Sequence, residues 1–524
     1  MAQSSINSDS AVIRTEMKKL KRELTLLPLF GLMYFTVSGG SFGIEGLIGW
    51  SGPGLAMLLI IITPIIFSLP NVLMVRELST MMPVEGSYYH WVKKAFGPFA
   101  GFMAGWNNWI MTWLDVPIYA VLAAYYLSYF FPALNNGMVV GGVELSATLL
   151  QWLVTLLVIW LIAILQVRGA RLSGMFTNGL GVIMIIPLIL MSILGIYAWI
   201  KGGTTVSLPF LPQGESLVGA LSVGLFVVMW NYMGWELPSV AGDEIVNPKK
   251  TYSRAMALVL VAAVATYAIP VLAGLYGGGG ANGQYQLWGI EGGDEGIGPV
   301  LEEYGVTPEQ MEEWGVDPAS DIGWEFPQIG HAIGMNVSGP GLATLLGTLL
   351  TVAAVLSMIG LFIGNSLGGS RVPFALAEDG MMPRWLVKVH DKYGTPWVAI
   401  LVVSVVFSIF SLQAFAFLVV ADVFLQCLVI LAEFAAMWKL RFTHPDVPRE
   451  KVPGGYLGLV LVTIGPVAII TLAIYSQFAE EGFNSLGWAL AFMAVGAIVY
   501  FPLRRYLKPG VPDVDPFASP PEEA

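Results

Sequence analysis

Cysteine is nearly missing: Cys427 stands alone in 524 residues. One thiol forms no intramolecular disulfide, no Cys-rich zinc site and no iron–sulfur cluster. With four histidines, a metalloenzyme is equally poorly supplied, and no metal or cofactor is expected. Charge is scarce as well, at 12% of residues against roughly 25% in soluble domains, which excludes a soluble fold. There is no P-loop, nucleophile elbow, His-rich metal motif or candidate triad, so neither an ATP-driven pump nor a membrane enzyme is expected. The first 23 residues are polar and then basic, with no apolar core before a small-residue cleavage site, and no removable signal peptide is expected.

What the chain has is apolar length. It is 56% hydrophobic, and at about 20 residues per span a dozen helices fit. The expected fold is an all-α polytopic membrane protein. Its net charge of −11 is local: residues 278–337 hold eleven acids and no Lys or Arg. The rest is neutral, and no nucleic-acid partner is implied.

Apolar runs bounded by charges and Gly/Pro/Asn clusters give twelve segments, near 26–50, 53–78, 98–128, 146–166, 172–200, 217–245, 251–277, 338–366, 396–412, 413–440, 456–478 and 483–503. With both termini cytoplasmic, 24 of 25 Lys and Arg lie inside and only Lys201 outside, as the positive-inside rule requires. The expected organisation is a cytoplasmic tail 1–25, a first five-helix repeat 26–200, a second 217–440 containing the acidic outer loop 278–337, two further spans in 456–503, and a cytoplasmic tail 504–524. A multi-pass protein of the plasma membrane is expected, its oligomeric state unread.

Segments 1 and 6 carry helix breakers. Segment 1 reads Gly39-Gly40-Ser41-Phe42-Gly43-Ile44-Glu45-Gly46, and each glycine weakens a helix by about 1 kcal/mol relative to alanine. Gly39 lies twelve residues beyond Leu27, roughly 18 Å at 1.5 Å per residue, near mid-membrane. Segment 6 reads Asn231-Tyr232-Met233-Gly234-Trp235-Glu236-Leu237-Pro238, a glycine, an acid and a proline together. Breaks at matching positions of two five-helix halves point to an inverted-repeat secondary transporter; close helix packing through glycine is the plainer alternative.

The first break resembles that of the amino acid/polyamine/organocation (APC) superfamily. Three more stretches share the resemblance: Glu77-Leu78 to Met82-Pro83-Val84-Glu85-Gly86-Ser87-Tyr88, Asn247-Pro248-Lys249-Lys250, and Ser370-Arg371-Val372-Pro373-Phe374-Ala375 to Asp379-Gly380-Met381-Met382-Pro383. The Gly-Gly-x-Phe-Gly-Ile-Glu form and Phe96-Gly97-Pro98-Phe99 to Gly105-Trp106 look most like the branch containing polyamine permeases. The resemblance implies a leucine-transporter-like five-plus-five inverted repeat with alternating access, substrate lying between spans 1, 3, 6, 8 and 10. Polyamine permeases usually have proline where this chain has Ser41, and serine restores a backbone donor. Free amides of Ser41, Phe42 and Gly43 at a half-helix N-terminus would suit a carboxylate, which tilts the expectation from bare polyamines toward amino acids.

Acids deep in a membrane cost at least about 2.5 kcal/mol each on insertion scales. Glu45, Asp115 and Glu236 are expected at similar depth facing the bundle interior, as holders of an organic ammonium ion and as carriers of a coupling proton. The candidate substrate residues are therefore Gly39, Gly40, Ser41, Phe42, Gly43, Asp115, Trp230, Trp235 and Glu236, the aromatics placed to cap the substrate or stack on a cation. Asp422 and Glu433, eleven residues apart, share a helix face and suggest an exit path, or in the case of Glu433 a side chain reaching water near Lys439. Proton coupling is favoured over sodium, since few hydroxyl and carbonyl oxygens are offered beyond Ser357 and the first break.

Within the acidic loop, Thr307-Pro308-Glu309-Gln310 has capping-box spacing and predicts a short surface helix. Its acids either concentrate cations at the entrance or form a plain solvated loop. The sequence thus reads as a secondary active transporter, a permease for amino acids or related amines held in a lipid bilayer. A polyamine permease and a non-transporting amino acid sensor of the same fold are the alternatives, and the short tails disfavour the sensor.

Overall fold

A computed structural model describes residues 25–38, 40–82, 87–168, 170–202, 208–235, 248–292, 295–378 and 382–506. The chain is helical where it is apolar, because only internally bonded backbone survives in hydrocarbon. In order, the main helices are α1 (Leu26–Val37), α2 (Glu45–Ser51), α3 (Pro53–Met81), α4 (Ser87–Phe96), α5 (Pro98–Leu127), α6 (Ala147–Arg168), α7 (Ala170–Gly202), α8 (Leu217–Trp230) and α9 (Pro248–Gly274). After the loop's short α10 (Pro308–Trp314) and α11 (Phe326–Ser338) come α12 (Pro340–Glu378), α13 (Trp397–Phe410), α14 (Phe415–Thr443), α15 (Gly455–Glu481) and α16 (Asn484–Tyr506). Among the described residues nine helices are long and apolar enough to cross a membrane, and α8 and α13 are shorter apolar helices.

Helix α5 is the axis of the bundle. It packs on α12, α14, α6 and α13, while α1 packs on α9 and α2 on α8. A small antiparallel hairpin, Met138–Val140 with Val143–Leu145, joins α5 to α6. The apolar segment expected at 338–366 divides differently: α11 ends at Gly339, whose φ of +88° stops a helix, and α12 begins on Pro340 and runs for 39 residues. Glycine past the end and proline at the start are the usual punctuation.

Both breaks expose backbone carbonyls, and side chains from neighbouring helices cover them. Tyr267 of α9 reaches Asn231 O at 2.9 Å and Ser38 O at 3.4 Å, one hydroxyl serving both breaks. Pro64 lacks the N–H that would bond Ile60 O; Tyr232 Oη, from the second break, donates to that carbonyl at 2.9 Å. The two breaks therefore lie side by side, tied to each other through α3 and α9.

The acidic loop departs most from expectation. The helix over Pro308–Trp314 forms with its full capping box, but the loop is not a solvated tether. Asp321 and Glu325 are buried, and a small core of Leu287, Ile290, Ile297, Leu301, Val306 and Met311 organises it. Parallel and antiparallel bridges join Trp288 to Trp324 and Glu291 to Ile322.

Candidate functional site

In the first break Gly40 (φ +100°) and Gly43 (φ +88°) take conformations that L side chains rarely adopt. A Cβ on Gly43 would also meet the Trp230 ring at 3.0 Å. The chain leaves the break at Glu45, whose side chain turns back on it. Its carboxylate accepts from Gly43 N at 2.8 Å, Tyr126 Oη at 3.1 Å and Phe326 N at 3.2 Å. One of the three amides expected to be free is therefore engaged within the break. Gly43 N–H is bonded to Glu45 and to Tyr126 Oη (2.8 Å), so the break carries its own carboxylate where a substrate carboxylate was expected. Ser41 is fully buried, and its Oγ has no hydrogen-bond partner among the described residues.

Asp115 occupies the middle of α5, yet part of its surface is accessible, so it faces an internal opening. Tyr119 Oη donates to its two oxygens at 2.9 and 3.1 Å, and Trp230 Nε1 donates at 3.0 Å. These donors fix the carboxylate beside a small cavity lined by Val37, Ser38, Phe42, Tyr119, Trp230, Asn231, Tyr267 and Leu361. The walls come from the two breaks and from α5, α9 and α12. Tyr119 and Trp230 lie against each other with centroids 5.8 Å apart, and Trp230 meets Phe415 edge-on at 5.9 Å. A carboxylate with aromatic walls suits an organic ammonium ion through charge and ring faces together.

On the side of Asp115 toward the basic end of the bundle, Thr112 and Asn108 on α5 and Leu361, Gly364, Asn365 and Gly368 on α12 are partly or fully exposed. Toward the acidic-loop end, Tyr119, Leu122, Tyr125 and Tyr126 are buried.

The structure thus places Phe42 and Trp230 in the wall of one chamber with Asp115 bonded to Trp230 and Tyr119 beside it, while Gly43 lines a separate small cavity with Glu45, Glu291 and Glu325 and Gly40 stands in the same break. Trp235 goes elsewhere: it is buried among Leu29, Met33, Val37, Ala255 and Val259, with its Nε1 bonded to Tyr232 O. Apolar packing between α1 and α9 claims this ring, and it does not line the cavity. Gly39 and Glu236 lie outside the described residues, as do Pro83–Gly86, Asn247, Asp379–Met381, 1–24 and 507–524. Asp422 and Glu433 are both buried on α14, so Glu433 does not reach water near Lys439. Residues that sequence reasoning passed over are Tyr119, Tyr126, Tyr267, Glu291 and Glu325. Tyr119 was legible, four residues after an intramembrane acid and hence on its face.

The amino acid permease family model matches residues 24–500. The chain belongs to the amino acid permease family. It is 30% identical over 500 residues to the polyamine transporter RMV1 of Arabidopsis thaliana, covering 93% of this chain and 87% of that protein. It is 28% identical to the polyamine transporter PUT1 of Oryza sativa subsp. japonica, covering 95% and 83%. A transporter of Legionella pneumophila, named as uncharacterized, is 26% identical over 78% of this chain and 80% of its own. This permease is therefore a multi-pass membrane transporter of the APC superfamily near the polyamine permeases, and not an enzyme.

Proposed function

We propose that this permease is a secondary active transporter of organic amines, polyamines foremost, moved by alternating access and coupled to protons. The twelve-span, five-plus-five arrangement with both termini in the cytoplasm and a plasma-membrane location belong to the same proposal. The helix bounds, the paired breaks and the charge tally support it.

One observation carries the substrate reading. The only carboxylate bonded beside the described chamber, Asp115, is presented by two neutral donors, while one of the three break amides expected to receive a substrate carboxylate, Gly43 N–H, is bonded to Glu45. The chamber offers more to a cation than to an α-carboxylate. The polyamine names of the relatives agree with this, and the amino acid reading rests on the family's name.

The test is uptake of labelled polyamines and amino acids into liposomes with and without a pH gradient. Parent protein is expected to accumulate a polyamine, and Asp115→Asn to bind it several-fold to 100-fold more weakly, about 1 to 3 kcal/mol for a charged hydrogen bond. Amino acid uptake without polyamine uptake would overturn the substrate class. A sodium-driven, pH-insensitive signal would overturn the coupling.

A further inference from the structure

We propose that the acidic loop is a proton-latched lid, seated on α2, the second half of the first broken helix, and held shut by a proton shared between the neighbouring carboxyl groups of Glu45 and Glu325. The proposal rests on reading the chamber as the transport path, and adds to it the place where a proton controls access.

Seating is by backbone against backbone. A Cβ on Gly289 would strike the Gly46 backbone, and one on Gly49 would strike Trp288 O. Glycine at these positions lets a loop strand lie directly on α2. The strand is stiffened from within by Gly289 N to Trp324 O (2.9 Å), Gly292 N to Asp321 O (2.8 Å) and Gly323 N to Ile290 O (2.9 Å). A second anchor is Glu291, whose carboxylate accepts from Phe415 N at 3.0 Å, Ala416 N at 3.2 Å and Tyr125 Oη at 2.7 Å. It supplies the cap that Ala414 cannot give to α14. The third anchor reaches the chamber itself: the Phe326 ring meets Phe42 edge-on at 6.1 Å, and Phe42 lines the cavity.

At this third anchor the Glu325 and Glu45 carboxyls come together: both side chains line one small cavity with Glu291, and Phe326 N, the amide next to Glu325, donates to Glu45 Oε1 at 3.2 Å. Two ionised carboxylates are both acceptors and repel; such a pair bonds only when a proton is shared between them. No cation replaces that proton, for residues 26–75, 97–167, 202–248, 255–370 and 395–438, which include the elements packed around the pair, contain no Lys or Arg. The titratable groups facing the pair are Tyr125 and Tyr126 from α5 and Glu291 and Asp321 from the loop, with His331 of α11 engaged by Tyr129 at 2.9 Å. All the acids among them work against ionisation of a neighbour.

Burial first, then the charges of Glu45 and Glu291, hold the Glu325 carboxyl well above the usual carboxylate range. Docking therefore takes up a proton. The latch is at full strength below the free carboxylate value of about 4.3 and is lost as pH rises through the raised value of the docked state. An acidic exterior closes the lid; an alkaline one frees it.

Hydrogen exchange of amides 287–326 in the full-length reconstituted protein reads the lid without any substrate. After correction for intrinsic rates, protection in the parent is expected to fall at least about tenfold between about pH 5 and about pH 9. Glu325→Gln keeps an acceptor for its own helix and a permanent donor toward Glu45, so its protection is expected to stay high and flat. PH-independent protection in the parent, or a Glu325→Gln profile that tracks the parent, overturns the latch. The parent profile decides the matter even if that variant does not fold, and Glu45→Gln provides the same comparison from the other partner. Failure of polyamine uptake would strike the chamber reading and leave this profile unchanged.

Discussion

Two buried glutamates hold the opposite ends of the bundle, and they do so by different chemistry. At the basic end Glu77 of α3 is gripped by Arg441 of α14, with Nε to Oε1 at 2.6 Å and Nη2 to Oε2 at 2.5 Å, and Val452 N adds a third bond at 2.8 Å. At the acidic-loop end Glu45 meets only neutral donors and a second carboxyl. The first contact carries its own counter-charge, and a guanidinium stays charged throughout the physiological range. The second has no cation to balance it and depends on a proton. The supply of arginine separates the two contacts: Arg76, Arg441 and Arg449 gather at the Glu77 end, while the segments around Glu45 contain no Lys or Arg.

The comparison breaks most visibly if the ion pair is opened. Arg441→Met leaves Glu77, 1% exposed at its side chain, as an uncompensated buried charge, and the expected loss is about 3 to 5 kcal/mol. Thermal melting of the purified protein reads it. Replacing both partners with Met is expected to recover most of the loss, since a buried pair contributes little over a well-packed apolar one. A single variant as stable as the parent would mean that the basic-end contact is no stronger than a surface bridge.

Next in size is Gly289→Ala, which attacks the lid without touching a carboxyl. The added methyl meets the Gly46 backbone, and the φ of +55° is unfavourable for alanine. An overpacked contact of this kind costs about 1 to 3 kcal/mol. The expected result is faster exchange across the loop at every pH, with α5 and α14 still protected. Loss of protection throughout the bundle would mean that the loop is part of the core and no separate lid.

How far these features could be read in advance depended on the range of the interactions. The helices follow local apolar length, so segment bounds such as 98–128 and 456–478 differ from the helices Pro98–Leu127 and Gly455–Glu481 by a few residues at most. The breaks at Gly40–Gly43 and after Trp230 are equally local, written in glycine and proline. Asp115 stood out because an acid in an apolar run needs a partner. What the sequence concealed is long-range. Glu325 looked like one loop acid among eleven, and only the docking of residue 326 against residue 45 distinguishes it from Glu302 or Glu312. Trp235 erred the other way: adjacency to a break was read as adjacency to the chamber, while apolar packing on Leu29 and Val259 turned the ring aside.

The smallest effect sharpens the division within the loop itself. Helix α10 stands on the exposed side, with Thr307 Oγ1 accepting from Gln310 N at 3.3 Å and Gln310 Oε1 from Thr307 N at 2.9 Å. Only Met311 of this helix is buried, among the loop's own apolar residues. Thr307→Ala removes one half of the capping box, a loss of about 1 kcal/mol confined to the first turn. The amides of residues 310–314 are expected to exchange several-fold faster, while those around Gly289, Gly292 and Gly323 keep the parent rate and the parent pH profile. The reason is geometric: the strand pairing that seats the lid runs between 287–292 and 321–324, and none of its bonds passes through α10. If instead Thr307→Ala loosened Gly289 and Gly323 to the same degree, the loop would open as one unit, its outer helix would share in the latch, and the carboxyl pair alone would not set when the lid is closed.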